Sequence, residues 1–253
     1  MRKPKDSFNR ALIRMSWSKT NLYFIYNRGS RLPKLHNRSL FQQKWQAKRE
    51  TRAYHGAQLT ERQFKRIFEP RLPATNIRLD SKGTTESKHP HIAALTYASL
   101  ERRVDFIIFR SCFANSIWAA KQLVVHGKVT VNGKKICEPS HLASDGDVIT
   151  VNPSSIILLS EPMTPNGLTF KPIPYMQPFL YIPEYLEVNF NPCSVIFLRD
   201  PISRPGRSEI PSPYPPEYHS LAHEYYTQIS KKKKGKRQRR LVPIEEKFKI
   251  QMD

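Results

Sequence analysis

Residues able to carry out covalent chemistry are present in this sequence but do not form a catalytic pattern. None of the eight histidines has a nucleophile or base partner at a sequence spacing that indicates a catalytic pair, and no Gly-rich phosphate-binding loop is recognisable. Asp200 and Glu184 are interpreted as solvated or structural carboxylates. The three cysteines, Cys112, Cys137 and Cys193, have neither a CxxC pair nor zinc spacing, which predicts inert thiols and no metal site. The sequence therefore predicts a protein that is not an enzyme and needs no cofactor.

Cationic side chains are the chemistry that the sequence offers in quantity. The chain has 42 Lys and Arg against 21 Asp and Glu, a formal net charge of +21 and a pI near 10.1. Such a charge predicts polyanionic partners, with nucleic acid ahead of a membrane surface. No segment approaches the roughly 18 consecutive apolar residues needed to span a bilayer, and the N-terminus has no secretory apolar region. We therefore expect a soluble chain with no membrane contact.

The positive charge is distributed unevenly along the chain. Residues 1–100 hold 21 basic and 6 acidic side chains, whereas residues 101–152 hold 7 and 5. Residues 153–230 are rich in proline and hold 4 basic and 7 acidic side chains, and residues 231–253 hold 10 and 3. We therefore expect the arms to contact a polyanion and the Pro-rich segment 153–230 to contact protein.

Both ends of the chain carry basic segments that have two interpretations. The first twenty residues contain six basic residues and a single acid, Asp6, a composition typical of an organellar transit peptide or of an RNA-binding arm. The sequence KKKKGKRQRR from Lys231 is typical of a nuclear signal or of a nucleic-acid-binding tail. Residues 1–40 are accordingly predicted to be an arm or a transit segment, and 231–253 a basic tail.

A helix that presents cations is predicted in the sequence LTERQFKRIFEP. Thr60 can cap it, Gln63 completes a capping box, and Leu59 can pack on Phe64. The apolar stripe then leaves three cations on other faces: Arg62, Lys65 and Arg66.

The preceding sequence QQKWQAKRETRAYHG alternates cations with aromatic residues. Trp45 and Tyr54 lie among four basic residues, Lys44, Lys48, Arg49 and Arg52. Aromatic planes beside cations suit exposed bases and phosphates. Residues 41–100 are therefore predicted to be helical and to contact RNA.

A compact unit follows, and its two helices are visible in the pattern of apolar residues. Val104, Ile107 and Ile108 form one buried stripe in a helix that ends near Arg110 to Cys112. Ser116 can cap a second helix, whose stripe includes Leu123, and Gly127 supplies its C-terminal stop. Trp118 is expected to pack in the core.

The same unit continues with a hairpin and a closing strand. Val129 and Val131 alternate with polar residues, and Asn132-Gly133 is a strong signal for a two-residue hairpin turn because both positions require positive φ. A second turn at Asp145-Gly146 precedes a strand from Val148. Farther on, YLEVNF and SVIFLRD have the composition of two more strands.

The unit resembles a known family. The sequence from Glu101 to Val151 is similar to the small RNA-binding domain named after ribosomal protein S4, and ETRAYHGAQLTERQFKRIF resembles the helical segment that precedes this domain in that ribosomal protein. The sequences QQKWQAKRETRAYHG and SEIPSPYPPEYHSLAHEYY are most similar to the mitochondrial form found in fungi. The resemblance covers most of the chain, although the C-terminal half only through the mitochondrial subgroup.

The resemblance implies a site as well as a fold. In such domains the two helices and the hairpin form a shallow surface that holds structured RNA by phosphate and ribose contacts. The matching positions here are Arg102, Arg103, Arg110, Ser116, Lys121, Gln122, His126, Lys128, Asn132, Lys134 and Lys135. The family usually has arginine where Ile117 stands and often glutamate where Ala119 stands, so one phosphate contact and a capping acid are missing.

We therefore expect an α+β protein with a mostly helical N-terminal region around a small two-helix and hairpin module at 101–152, followed by a long Pro-rich and basic extension. The resemblance implies a structural protein of the mitochondrial small ribosomal subunit in the matrix, which binds and locks rRNA early in assembly. Its expected partners are small-subunit rRNA and neighbouring ribosomal proteins, with no small-molecule substrate and no homo-oligomer. An RNA-modifying or ribosome-assembly factor with the same domain is the alternative.

Overall fold

The computed structural model describes residues 12–28, 38–68, 92–156, 159–160, 169–201, 203–204, 207–215 and 218–228. The predicted basic tail 231–253 and the first eleven residues of the transit-like segment lie outside the described residues. Between these limits the chain combines helices with an antiparallel sheet, which confirms the α+β fold class.

Helices dominate the N-terminal half. Helices α1, α2 and α3 are Lys19–Arg28, Leu40–His55 and Glu61–Ile67, and α4, α5 and α6 are Ile92–Glu101, Val104–Arg110 and Ile117–Val125. Residues 218–228 are also helical and are called α7. Short 3-10 helices cover Pro153–Ser155 and Pro174–Phe179.

Local capping residues explain where α2, α3 and α6 begin. The predicted capping box of Thr60 and Gln63 is confirmed at the start of α3, and a second one, formed by Ser39 and Gln42, begins α2. Ser116 accepts a hydrogen bond from the N–H of Ala119, 3.2 Å away, which confirms the predicted cap of α6. These bonds occupy amides that a helix end otherwise leaves unpaired.

Nine strands lie in the described residues, and five of them form one antiparallel sheet in the order β2-β1-β3-β7-β6. Strands β1, β2 and β3 are Val129–Val131, Lys134–Ile136 and Val148–Val151, and β6 and β7 are Leu186–Asn189 and Ser194–Phe197. The remaining four form two-stranded ribbons: β4 Leu159–Ser160 with β5 Thr169–Phe170, and β8 Ser203–Arg204 with β9 Arg207–Ser208.

The hairpin turn between β1 and β2 has the predicted geometry. Asn132 has φ 48° and Gly133 has φ 77°, as a two-residue turn of this type requires. The carboxamide of Asn132 also donates to Asp147, at 2.9 Å, and accepts from the N–H of Val148, at 3.0 Å. Asn132 therefore joins the hairpin to β3.

Part of the Pro-rich segment belongs to the sheet of the compact unit. The two strands predicted in YLEVNF and SVIFLRD are confirmed as β6 and β7. Strand β7 pairs with β3, so that Val195 lies opposite Ile149. Both side chains are fully buried, and the helices and this sheet share one continuous apolar core.

The N-terminal segment 12–17 is also part of this core. Ile13 and Met15 are fully buried. The N–H of Ile117 donates to the carbonyl of Met15, at 3.1 Å, and the N–H of Trp17 donates to the carbonyl of Asn115, at 2.9 Å. The segment therefore lies along the start of α6, where the Trp17 ring also stacks on Phe109.

A buried histidine pair joins α2 to α7. His55 and His219 are 0% and 3% exposed, and their Nε2 atoms lie 3.2 Å and 3.0 Å from the hydroxyl of Ser212. Both rings also pack against Tyr97, with centroids 4.8 Å and 4.6 Å away. Burial lowers the pKa of His219 to about 4, and burial, followed by the charges of His219 and Arg110, lowers the pKa of His55 well below its usual value.

Lowering the pH below 6.5 should therefore destabilise the fold. The unfolded chain protonates both histidines near pH 6.5, whereas the folded chain keeps His219 neutral down to about pH 4, so in this window the unfolded state binds more protons. The free energy of unfolding then falls as the pH falls, by roughly 3 kcal/mol through His219. Urea unfolding between pH 7.5 and 4.5 measures this. The variant His219→Gln should show a shallower pH dependence, and a dependence equal to that of the wild type would contradict the assignment.

Candidate nucleic-acid interface

The end of α6 and the hairpin bring several of the predicted polar and basic residues close together. His126 ends α6 and is exposed, Gly127 turns the chain with φ 65°, and Lys128 leads into β1. The side chain of Lys135 lies over Gly127. A Cβ atom added to Gly127 would lie 2.1 Å from the Cε atom of Lys135. The positive φ favours glycine at position 127, whereas the flexible end of Lys135 could move aside for a side chain there.

Two concave pockets flank the outward face of α6. One has a volume of about 240 Å³ and the other about 380 Å³, and both are lined by Ala119, Gln122 and His126. The smaller also includes Asn115 and Lys128, and the larger Gln58, Trp118 and Lys121. Cations and neutral polar groups therefore surround one concave surface, which suits phosphate and ribose contacts.

Three polar atoms at these pockets have no hydrogen-bond partner among the described residues. They are the indole N–H of Trp118 and the carboxamide oxygens of Gln58 and Asn115, all of them buried. A buried polar atom without a partner is costly, so a ligand that supplied one would be favoured here. Trp118 and Leu123 are both only partly buried, and both pack against the core.

Predicted cations that have no ion pair with a described residue are the ones that a polyanion could neutralise most readily. Lys121 is half-buried, and Lys128, Lys134 and Lys135 are exposed, as are Arg62 and Arg66 on α3, where Lys65 is half-buried. In the described part of the chain none of these seven side chains forms an ion pair. Gln58, in the turn before α3, lines the same pocket as Lys121 and brings that turn against α6.

The predicted cations of α2 are largely engaged within the protein. Lys44 is 6% exposed and pairs with Glu224, at 2.7 Å. Lys48 and Arg52 both pair with Glu61, at 3.1 Å and 2.6 Å. Arg49 is exposed and has no ion pair with a described residue. Of these four cations, Arg49 is therefore the one that could bind a ligand without first breaking an ion pair with a described residue.

Arg110 lies inside the protein, whereas Ser116 lines the larger pocket with only a small part of its surface. Arg110 is 6% exposed, and its guanidinium donates to both oxygens of Glu101, at 2.9 Å and 3.0 Å. It also donates to the hydroxyl of Tyr54, which is buried rather than displayed as a stacking surface. Ser116 is 5% exposed and uses its hydroxyl as the α6 cap.

Arg102 and Arg103 are partly exposed but hold local structure. Arg103 makes a bidentate pair with the buried Asp105, at 2.8 Å and 3.0 Å. Arg102 contacts Asp145 at 2.7 Å and Asp200 at 2.9 Å, and donates to the carbonyl of Ala143. Arg102 therefore fastens the loop before β3 to the end of β7, and Asp200 has a structural role.

Sequence reasoning missed Gln58 and Asn115 as members of the pocket surface. Neither lies in a motif, and what distinguishes them is an oxygen left unpaired by tertiary packing. No local pattern of residue types could reveal that, because it depends on which elements meet.

No helix in the described residues is both long enough and apolar enough to cross a membrane. No group of three or more His, Cys, Asp or Glu side chains within the described ranges is arranged to hold a metal ion.

Comparison with known proteins identifies the family. A model of the S4 domain matches residues 102–149. Small ribosomal subunit protein uS4m of Schizosaccharomyces pombe is 37% identical, and the match covers 94% of this chain and 85% of that protein. Small ribosomal subunit proteins uS4 of Jannaschia sp. and Caulobacter vibrioides are each 38% identical over 109 residues, 43% of this chain, and the match spans just under half of their length, 46%. With the α5–α6 and hairpin module in place and a match along nearly the whole chain, this protein belongs to the mitochondrial uS4 family of small ribosomal subunit proteins.

Proposed function

We propose that this protein binds the rRNA of the mitochondrial small ribosomal subunit in the matrix and locks one folded junction of it early in subunit assembly. Its family is one of structural ribosomal proteins and not of enzymes. The observation that carries the proposal is the concave α6 surface, which is lined by the unpaired Lys121 and Lys128 and has Lys135 beside it at Gly127.

The chemistry of this surface favours recognition of RNA by shape. Lysines act as point charges on phosphates, and the carboxamides and the Trp118 N–H can bond ribose hydroxyls and phosphate oxygens without reading base edges. A junction presents phosphates of several strands to one concave surface. We therefore propose that the α6 surface fixes the position and orientation of the protein on the rRNA, and that the basic residues elsewhere add affinity that does not depend on sequence.

The extension is proposed to have a different partner. Residues 153–230 carry 4 basic and 7 acidic side chains, unlike the rest of the chain. Asp200, Glu209 and Glu224 pair with cations of this chain, but the net negative balance of the segment still disfavours rRNA and suits a neighbouring protein better. Crosslinking of this segment to rRNA alone would contradict the assignment.

Replacing Lys134 and Lys135 by glutamate should weaken rRNA binding roughly tenfold or more without unfolding the protein. Both side chains are exposed, so the loss is electrostatic, and the dependence of log K on log salt should become shallower by about 1.4 to 1.8 for two phosphate contacts. Filter binding to transcribed mitochondrial small-subunit rRNA at several salt concentrations measures both effects.

The exposed Lys171, outside the candidate surface, provides the matched control. Lys171→Glu should leave the affinity close to that of the wild type. Because Lys135 packs over Gly127, the single variant Lys134→Glu tests the electrostatic effect without that contact. An unchanged affinity of the double variant would exclude the hairpin from the interface.

A further inference from the structure

The first half of α2 displays two aromatic side chains on its outward face. Phe41 is 68% exposed and Trp45 is 46% exposed. They are four residues apart, so they lie one above the other on the same side of the helix. Large aromatic side chains grouped on a surface usually mark a binding site.

These two side chains line a cavity of about 350 Å³ that also contains cations and amides. Its lining residues are Arg38, Phe41, Gln42, Trp45, Gln46 and Arg49, with an arginine one turn from each aromatic residue and no carboxylate among the six. The volume lies within the range of about 300–1,000 Å³ that small organic ligands occupy in proteins. The cavity therefore offers flat apolar surfaces between positive charges.

Nearby carboxylates do not cancel this positive charge, because other cations already neutralise them. Glu50 pairs with Arg28, and Glu224 pairs with Lys44. Arg49 forms no ion pair with a described residue, and the guanidinium of Arg38 donates to the neutral carboxamide of Gln46. Both arginines thus keep their charge available to an anion.

The Trp45 ring is held in place before any ligand arrives. Its centroid lies 5.8 Å from that of Tyr225 on α7, in an edge-on arrangement, and Nζ of Lys48 lies 5.0 Å from the ring centroid. A ring fixed in this way loses little conformational freedom on binding, which favours affinity.

We propose that this face of α2 is a stacking platform for unpaired bases of the small-subunit rRNA, with Arg38 and Arg49 contacting the adjoining phosphates. The proposal rests on the proposed rRNA-binding function and adds a contact of a different kind to the α6 surface, since stacking requires single-stranded or extruded nucleotides. An acidic peptide would satisfy the two arginines but would leave the flat faces of Phe41 and Trp45 without flat partners. Bases satisfy both, and the Gln42 carboxamide lies beside them.

The test separates stacking from charge by measuring affinity and salt dependence together. For the full chain and transcribed small-subunit rRNA, Phe41→Ala and Trp45→Ala should each weaken binding by roughly 5- to 150-fold while the salt dependence stays unchanged. Trp45→Phe should keep most of the affinity. Arg49→Gln should instead make the slope of log K against log salt shallower by about 0.7 to 0.9.

Tyr26, 76% exposed on α1, provides the control, and Tyr26→Ala should bind like the wild type. Because Trp45 contacts α7, the thermal stability of each variant is measured as well. If Trp45→Ala lowers the melting temperature, the test rests on Phe41→Ala, which removes the more exposed side chain.

Wild-type affinity for both alanine variants would overturn the platform and leave the proposed function standing. No binding of rRNA by the wild type would overturn both proposals. Normal rRNA affinity with loss of a neighbouring protein from assembled subunits would make this face a protein contact and overturn the platform.

Discussion

Replacing Arg110 by methionine is expected to lower the free energy of unfolding by about 3–5 kcal/mol, because Glu101 would remain buried without its counter-ion. Glu101 is fully buried. Methionine keeps much of the apolar length of arginine, so the change removes charge and hydrogen bonds more than packing. Urea unfolding at neutral pH measures the difference.

The size of this effect follows from how many elements meet at the ion pair. Besides both oxygens of Glu101, the Arg110 guanidinium bonds the hydroxyl of Tyr54 and the carbonyl of Pro211, at 3.0 Å and 2.9 Å. The hydroxyl of Tyr185 donates to Glu101 as well, at 2.9 Å. Burial is the largest single influence and alone would lower the pKa of Arg110, but the charge of Glu101, its hydrogen bonds, Tyr54 and Tyr185 together outweigh burial and raise the pKa well above its usual value. Arg110 therefore stays charged and ties α2, α4, α5 and two loops together.

A more exposed ion pair supplies the comparison. The side chain of Arg199 is 37% exposed and pairs with Glu209, at 2.7 Å. Arg199→Met should cost less than Arg110→Met, because the Arg199 side chain is partly in water, although Glu209 is 8% exposed. An equally small loss for Arg110→Met would contradict its structural role. If Arg110→Met lost affinity for rRNA but kept the stability of the wild type, Arg110 would instead belong to the RNA interface.

Replacing both Ile13 and Met15 by alanine should destabilise the protein by about 4 kcal/mol or more. Each side chain is fully buried, and such truncations cost about 2–5 kcal/mol apiece. The sum approaches the whole stability of about 5–15 kcal/mol of an ordinary domain. Thermal and urea unfolding measure it.

The control for this variant is on the same part of the chain. Tyr23 and Tyr26 on α1 are 56% and 76% exposed, and their double alanine variant should change stability by no more than about 1 kcal/mol. Equal stability of Ile13→Ala/Met15→Ala and the wild type would show that residues 12–17 do not belong to the core.

This role of residues 12–17 limits how far a transit segment can extend. A cut after Trp17 would remove the backbone bonds from Met15 and Trp17 to the start of α6 along with both core side chains. The mature protein isolated from mitochondria should therefore begin at or before Ile13. N-terminal sequencing of ribosome-bound protein would contradict this if it found a start after Ile13.

Features governed by neighbouring residues could be predicted from the sequence. The caps at Thr60 and Ser116 depend on hydrogen bonds spanning three residues, and the Asn132-Gly133 turn depends on two backbone angles. The strands in YLEVNF and SVIFLRD follow from composition and alternation. In each case the information lies within one turn or one strand.

Features governed by distant residues could not be predicted in the same way. Nothing local to β7 indicates that it pairs with β3, and nothing local to Met15 indicates that it meets Ile117. Residue type and family resemblance predict which cations contact RNA, but Lys44 is neutralised by Glu224, a carboxylate 180 positions away. Whether a cation is free for RNA depends on such tertiary partners, so only the structure separates Lys128 and Lys135 from Lys44 and Arg110.

The most direct test of the central claim is to crosslink the C-terminally tagged protein to RNA in cells with ultraviolet light, sequence the attached RNA and sediment the tagged protein. Reads concentrated at one junction of the mitochondrial small-subunit rRNA, with the protein sedimenting with small subunits, are the predicted result. Reads dispersed over tRNAs or large-subunit rRNA, with the protein near the top of the gradient, would contradict the claim.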